Sequence, residues 1–151
     1  MAILALCCSD VKLDIGKCVM LCVVHDLAEA QVGDIAPREG IPKSEKQRLE
    51  ASNLQEAMHN FVYDMLHYSA AAQRIEALWK EYEEQETVEA QFVKDLDRFE
   101  MALQASDYEI RDGTQTLQGF FDNSLPNIRH PEVKSWANDL EIERRQRGLQ
   151  D

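Results

Sequence analysis

The sequence predicts an all-α protein, and three observations carry that expectation. Glycine and proline are scarce, at 6 and 4 of 151 residues, so few turn signals are available to separate short strands. Strict apolar–polar alternation, the mark of a half-buried strand, is nearly absent. Apolar residues recur instead at four- and three-residue steps, as in Phe92, Leu96, Phe99 and Leu103, which is the period of a helix with one buried face.

Taken in order, Val19, Leu21, Cys22, Val23 and Val24 form a wide apolar band that runs into His25-Asp26-Leu27-Ala28-Glu29. The Ala, Leu and Glu content predicts a buried helix from about Ile15 to Gln31. Gly33 to Pro37 and Gly40 to Pro42 punctuate a loop. Ser44 with Gln47 forms a capping box for the next helix, whose apolar face holds Leu54, Met58, Phe61, Val62, Met65 and Leu66. A further helix carries Ile75, Leu78, Trp79 and Tyr82, and another runs from about Thr87 to Tyr108. The last begins near Pro131, because proline has no N–H to lose in a first turn. It carries Val133, Trp136, Leu140 and Ile142 and ends in Glu143-Arg-Arg-Gln-Arg147, a solvated tail expected to fray over about 143–151. No repeat, low-complexity tract or linker divides the chain, so 1–151 is read as a single domain. The opening apolar run lacks a capping residue, and the chain is read as starting inside an incomplete core helix.

With 28 acidic against 16 basic residues the net charge is −12, which argues against polynucleotide binding. A small nucleotide stays compatible with that charge if a metal ion or a local basic group faces its phosphate. No apolar run reaches the roughly 18 residues of a membrane span, and the opening segment lacks the basic region of a signal peptide. Cys7, Cys8, Cys18 and Cys22 lie in apolar surroundings and are read as reduced core thiols, which implies a cytoplasmic or nuclear setting.

The chemistry concentrates at His25-Asp26, with Glu29 one turn later and Asp34 in the following loop. On a helix, His25 and Glu29 are four apart and Asp26 and Glu29 three apart, so all three can converge. Burying imidazole and carboxylate together is costly unless a partner compensates them, and a divalent cation does so. The plainer alternative is a hydrogen-bonded core histidine at the polar end of a helix. Asp97 is the second candidate: it lies four from both Val93 and Met101, on an apolar stripe, while Asp95 falls off that stripe and is expected to be exposed. Lys94 or Arg98 could equally pair with Asp97. His59 and His67 read as surface histidines, His130 as a helix-opening residue, and Glu81 to Glu86 as a solvated helix end.

The stretch Leu21-Cys-Val-Val-His-Asp-Leu-Ala-Glu-Ala-Gln-Val-Gly-Asp-Ile-Ala-Pro37 resembles the HD-domain superfamily, and within it the 5′-deoxynucleotidases of the HD-domain-containing protein 2 type. Ile41 to Lys46, Leu78 to Glu83 and Phe92 to Ala105 carry the same resemblance. It implies a helical HD-domain bundle in which His25, Asp26 and Asp97 hold a divalent metal (Mn, Co or Mg). Glu29, Asp34 and the Ile35 carbonyl would form a neighbouring cluster for a second cation, the substrate or the attacking water. Glu29 and Asp34 are thereby the catalytic candidates, and Asp34 and Asp97 the substrate-binding ones. The implied reaction releases phosphate from deoxyribonucleoside 5′-monophosphates, and the resemblance implies a homodimer. The family pattern is H…HD…D, and its first histidine would lie upstream of Met1. Two alternatives stand beside this: a non-catalytic helical partner or regulator lacking that ligand, and another nucleotide phosphohydrolase of the same superfamily.

Overall fold

Caps and stripes written into the sequence set most of the helix boundaries. The Asp14 carboxylate accepts the Lys17 N–H at 3.0 Å, the Ser69 hydroxyl the Ala72 N–H at 3.2 Å, and the Thr87 hydroxyl the Ala90 N–H at 3.2 Å. Each satisfies a backbone donor that a first turn would otherwise leave unpaired. The computed structural model describes residues 1–28, 55–56, 58–112 and 117–147. The helices there are α1 (Ala2–Cys7), α2 (Ile15–Val24), α3 (residues 58–66), α4 (Ala70–Glu84), α5 (Val88–Asp112), α6 (Gln118–Ser124) and α7 (Pro131–Gln146). A 3-10 turn, Leu125–Asn127, follows α6. No strand occurs among the described residues, and the all-α expectation holds. The loop from Gly33 to Pro42, the Ser44–Gln47 capping box and Leu54 lie outside them.

The chain divides into two compact units, Met20–Glu84 and the combination of Met1–Val19 with Gln85–Asp151. In the second of these, α5 is the spine: 25 residues, roughly 37 Å long at 1.5 Å per residue. It buries Phe92, Val93, Leu96, Phe99, Ala102 and Ala105, and α1, α6, the 3-10 turn and α7 pack on it. It also runs past Tyr108, where the apolar steps had suggested a stop.

On α7 the inward stripe is Val133, Ala137, Leu140 and Arg144, at steps of four, three and four. Ile142 falls between these positions and is 47% exposed, contrary to the expectation that it faces the core. The helix continues to Gln146, and within its charged end Glu143, Arg145, Gln146 and Arg147 are exposed as the composition suggests, while Arg144 is buried. At the other end of α7, Glu132 holds the segment after α1. Its carboxylate accepts the Ser9 N–H at 3.0 Å, the Ser9 hydroxyl at 3.2 Å and the Cys8 thiol at 3.2 Å. All four cysteines are free thiols. Cys18 and Cys22 are buried as expected, whereas Cys7 is exposed and Cys8 half-buried, because α1 turns that edge outward.

The other unit has a core of Val24, Ala28, Met58, Val62, Ala72 and Trp79, with Leu27, Phe61, Tyr63, Ile75 and Leu78 packed against it. Met65 and Leu66, expected on the same face, are 66% and 36% exposed. They sit in the last turn of α3, just before His67 and Tyr68 reverse the chain with φ of 49° and 55°. Left-handed backbone is costly for residues with a Cβ. Here the Tyr68 ring lies 4.6 Å from that of Tyr63, which contributes stacking at the same turn.

Candidate metal centre

The helix predicted to reach Gln31 stops at Val24, and His25 to Ala28 continue as turns. The His25 N–H still bonds the Leu21 carbonyl at 3.0 Å, but the Leu27 N–H goes three residues back to Val24 at 3.2 Å, tightening the chain. This places His25 and Asp26 side by side at a helix end.

The His25 ring is fixed on two sides. Nδ1 lies 2.8 Å from the Cys22 carbonyl oxygen, and the ring meets Tyr82 edge-on at 5.5 Å. A carbonyl only accepts, so Nδ1 carries the proton and donates it. In the neutral ring the Nε2 lone pair then points outward, and Nε2 is 2.7 Å from Asp26 Oδ2. Two lone-pair donors at that distance require a positive centre between or beside them. Either a proton is shared between the two groups, or a cation takes both as ligands. A histidine whose far nitrogen donates to a backbone carbonyl is the usual oriented metal ligand, and an imidazole–carboxylate set suits a divalent ion. The residues present fit the metal that the sequence implies.

Asp97 lies on α5, in the other compact unit, with its side chain 25% exposed. Its Oδ2 accepts the Lys94 ammonium at 2.8 Å. Glu29, Asp34 and Ile35 lie outside the described residues. Among the described residues no group of three or more His, Cys, Asp or Glu side chains is gathered to hold a metal. The structure thus brings His25 and Asp26 together.

Asp95, expected to be exposed, is buried at 1%. Its Oδ2 accepts the backbone N–H of Arg129 at 2.7 Å and of His130 at 2.8 Å, and its Oδ1 accepts Arg98 at 2.8 Å. The signal was available: Asp95 lies three after Phe92 and four before Phe99, both of them buried. The stripe through Val93, Asp97 and Met101 starts inside at Val93 and emerges along the helix, with Asp97 25% and Met101 46% exposed. His130 precedes α7 as expected, with Nε2 3.3 Å from the Asp10 carboxylate and its ring edge-on to Phe92 at 4.8 Å. His59 is exposed, and its Nδ1 is 3.3 Å from Glu76. That carboxylate also accepts the Tyr63 hydroxyl at 2.9 Å.

Comparison with known proteins bears on the same residues. The family model described as HD domain matches residues 1–134. The chain is 41% identical to 5′-deoxynucleotidase HDDC2 of Homo sapiens over 145 residues, covering 95% of this chain and 68% of the relative. It is 40% identical to 5′-deoxynucleotidase hdd1 of Schizosaccharomyces pombe, covering 97% and 73% respectively. Among solved structures, HD domain-containing protein YGK1 superposes with a TM-score of 0.73 at 26% identity, over 96% of this chain and 73% of that one. A predicted metal-dependent phosphohydrolase from Magnetospirillum magnetotacticum superposes at 0.63 with 28% identity, over 99% and 74%. The chain belongs to the HD-domain family.

Proposed function

We infer that this chain is a metal-dependent phosphohydrolase that releases phosphate from deoxyribonucleoside 5′-monophosphates. The observation that carries the reading is the His25–Asp26 pair: an imidazole locked on the Cys22 carbonyl, with its remaining nitrogen 2.7 Å from a carboxylate. Membership of the family and the activity named for its relatives supply the substrate class.

His25 offers its Nε2 lone pair to the cation, and Asp26 and Asp97 offer carboxylate oxygens. A divalent cation, when bound, offsets the charge of the phosphate and acidifies a water molecule. Glu29 is the proposed acceptor for the proton of the attacking water, and Asp34 and the Ile35 carbonyl are proposed to serve the substrate or a second ion. The Cys22 carbonyl keeps the His25 ring in the tautomer that leaves Nε2 basic. Mn²⁺, Co²⁺ and Mg²⁺ are the proposed ions, all suited to mixed nitrogen and oxygen donors.

The test is phosphate release from matched deoxyribo- and ribonucleoside 5′-monophosphates with each of the three ions added. Turnover is expected to favour the deoxy series and to fall by at least about 100-fold in His25→Ala and Asp97→Ala, the scale seen when a metal centre is dismantled. Undiminished activity in either variant, or hydrolysis that ignores chelator, overturns the reading.

A further inference from the structure

We propose that the cavity between the α1–α2 connection and the first turns of α5 binds a small organic anion, a carboxylate or phosphate carried on an apolar body. The cavity measures about 260 Å³, and the residues of its wall all belong to one compact unit. That is a little below the roughly 300–1,000 Å³ of drug-sized sites, which sets the scale at a single ring. Leu13, Val88 and Phe92 give it an apolar surface, and Lys12 and Arg129 bring two cations to it.

Which charges are already answered decides the sign of the ligand. Two acids also reach the cavity, and both are engaged. Asp95 is 1% exposed and takes the Arg98 guanidinium and the backbone N–H groups of Arg129 and His130. Asp10 accepts the Lys12 N–H at 2.9 Å, and its other oxygen lies 3.3 Å from His130 Nε2. The cations are not answered in the same way. Among the described residues the Lys12 ammonium makes no ion pair and acts on Asp10 only at longer range. The Arg129 guanidinium is 56% exposed and comes no nearer to Asp95 than 3.9 Å, outside hydrogen-bond range. The unanswered charge at this wall is therefore positive, in a protein whose net charge of −12 repels anions elsewhere. The same wall holds His130 Nδ1, buried with no hydrogen-bond partner, so its polar capacity is not met within the fold. A carboxylate or phosphate seated here accepts from both cations, and Leu13, Val88 and Phe92 take the ring that carries it. The rival is a pair of solvated surface cations beside an apolar dent, which reads neither charge nor shape.

Calorimetric titration of the full chain with benzoate, phenylphosphonate, inorganic phosphate and benzyl alcohol separates the two. Benzoate and phenylphosphonate carry both an anion and a ring, whereas inorganic phosphate lacks the ring and benzyl alcohol the charge. Saturable binding is expected for at least one of the first two, and the tighter of them identifies the headgroup. Lys12→Gln and Arg129→Gln are each expected to weaken it roughly 5- to 10-fold, the low end for charge-assisted contacts because both side chains reach solvent. Val88→Asp puts a negative charge on the wall at an exposed first-turn position that suits Asp, so binding is lost while thermal unfolding is unchanged. Failure of both ringed anions to bind overturns the proposal, as does binding that all three variants leave unaltered. Inorganic phosphate or benzyl alcohol binding as tightly as the ringed anions overturns it too.

Discussion

Arg144→Ala is expected to lower the unfolding free energy by about 3–5 kcal/mol, because it removes one partner of a buried ion pair and strands the other. Arg144 and Glu109 side chains are 4% and 0% exposed. The guanidinium meets Glu109 through two N–H groups, at 2.7 and 2.9 Å, gives a third to Gln118 at 2.6 Å, and lies 4.0 Å over the Phe121 ring. Glu109 also accepts the Leu117 N–H at 2.6 Å, just ahead of α6. One residue therefore ties α5, α6 and α7 together. For a chain of this size the change corresponds to a drop in Tm on the order of 10 °C, checked by thermal and urea unfolding.

The pH dependence carries a sign that tests the cause. Burial pushes the Glu109 carboxyl up, but the Arg144 hydrogen bond and the Leu117 N–H pull it down further, and the net shift is downward. A depressed folded pKa contributes stability that is present above the ordinary glutamate value of about 4.3 and is lost as pH falls through the folded value. In Arg144→Ala the unpaired carboxylate is relieved by protonation instead. The stability gap between variant and wild type should therefore narrow as pH falls from 7 toward 4. A gap that stays constant means the arginine acts by packing alone.

Asp95→Ala is the second large effect, expected at about 2–4 kcal/mol. The substitution leaves the Arg129 and His130 N–H groups without their acceptor at the mouth of α7 and takes the carboxylate from the Arg98 guanidinium, which keeps the Asn127 carbonyl at 3.1 Å. Asp95→Asn should fall between, since its single oxygen can serve only part of that set. The contrast with Asp97 is diagnostic. Asp97→Ala, two residues away and partly exposed, is expected to leave unfolding within about 1 kcal/mol of wild type and to act on metal binding instead. If both substitutions destabilise equally, the assignment of one acid to the scaffold and the other to the site is wrong.

How much of this was legible in the sequence depended on whether a residue's role is set locally. The longer helices α4, α5 and α7 followed from three- and four-residue steps, whereas the seven-residue α6 gave no such signal, and Pro131 marked the start of α7 because a first turn has no use for its missing donor. The pairing of His25 with Asp26 followed from adjacency. Periodicity misplaced residues where two stripes could be drawn through one helix. Asp97 shares a row with Val93 and Met101 and Asp95 with Phe92 and Phe99, and composition does not say which row stays buried along the helix. A charged residue on an inward row needs a partner, and that partner lies far along the chain. Arg144 finds Glu109 35 residues back, and Asp95 finds the backbone 34 residues ahead. The same non-locality hid the last turn of α3, whose Met65 and Leu66 continue the right pattern beyond the point where the core ends.

The clamp that Glu132 places on the segment after α1 sorts the thiols by reactivity. A thiolate is the nucleophile, and burial together with the hydrogen bond to Glu132 raises the pKa of Cys8, although the Asp10 backbone works the other way. Its neighbour Cys7 stands exposed, while Cys18 and Cys22 are closed off in the interior. One equivalent of a maleimide should accordingly label Cys7 first, giving a spectroscopic handle at the end of α1 while the other three sulfurs stay unmodified.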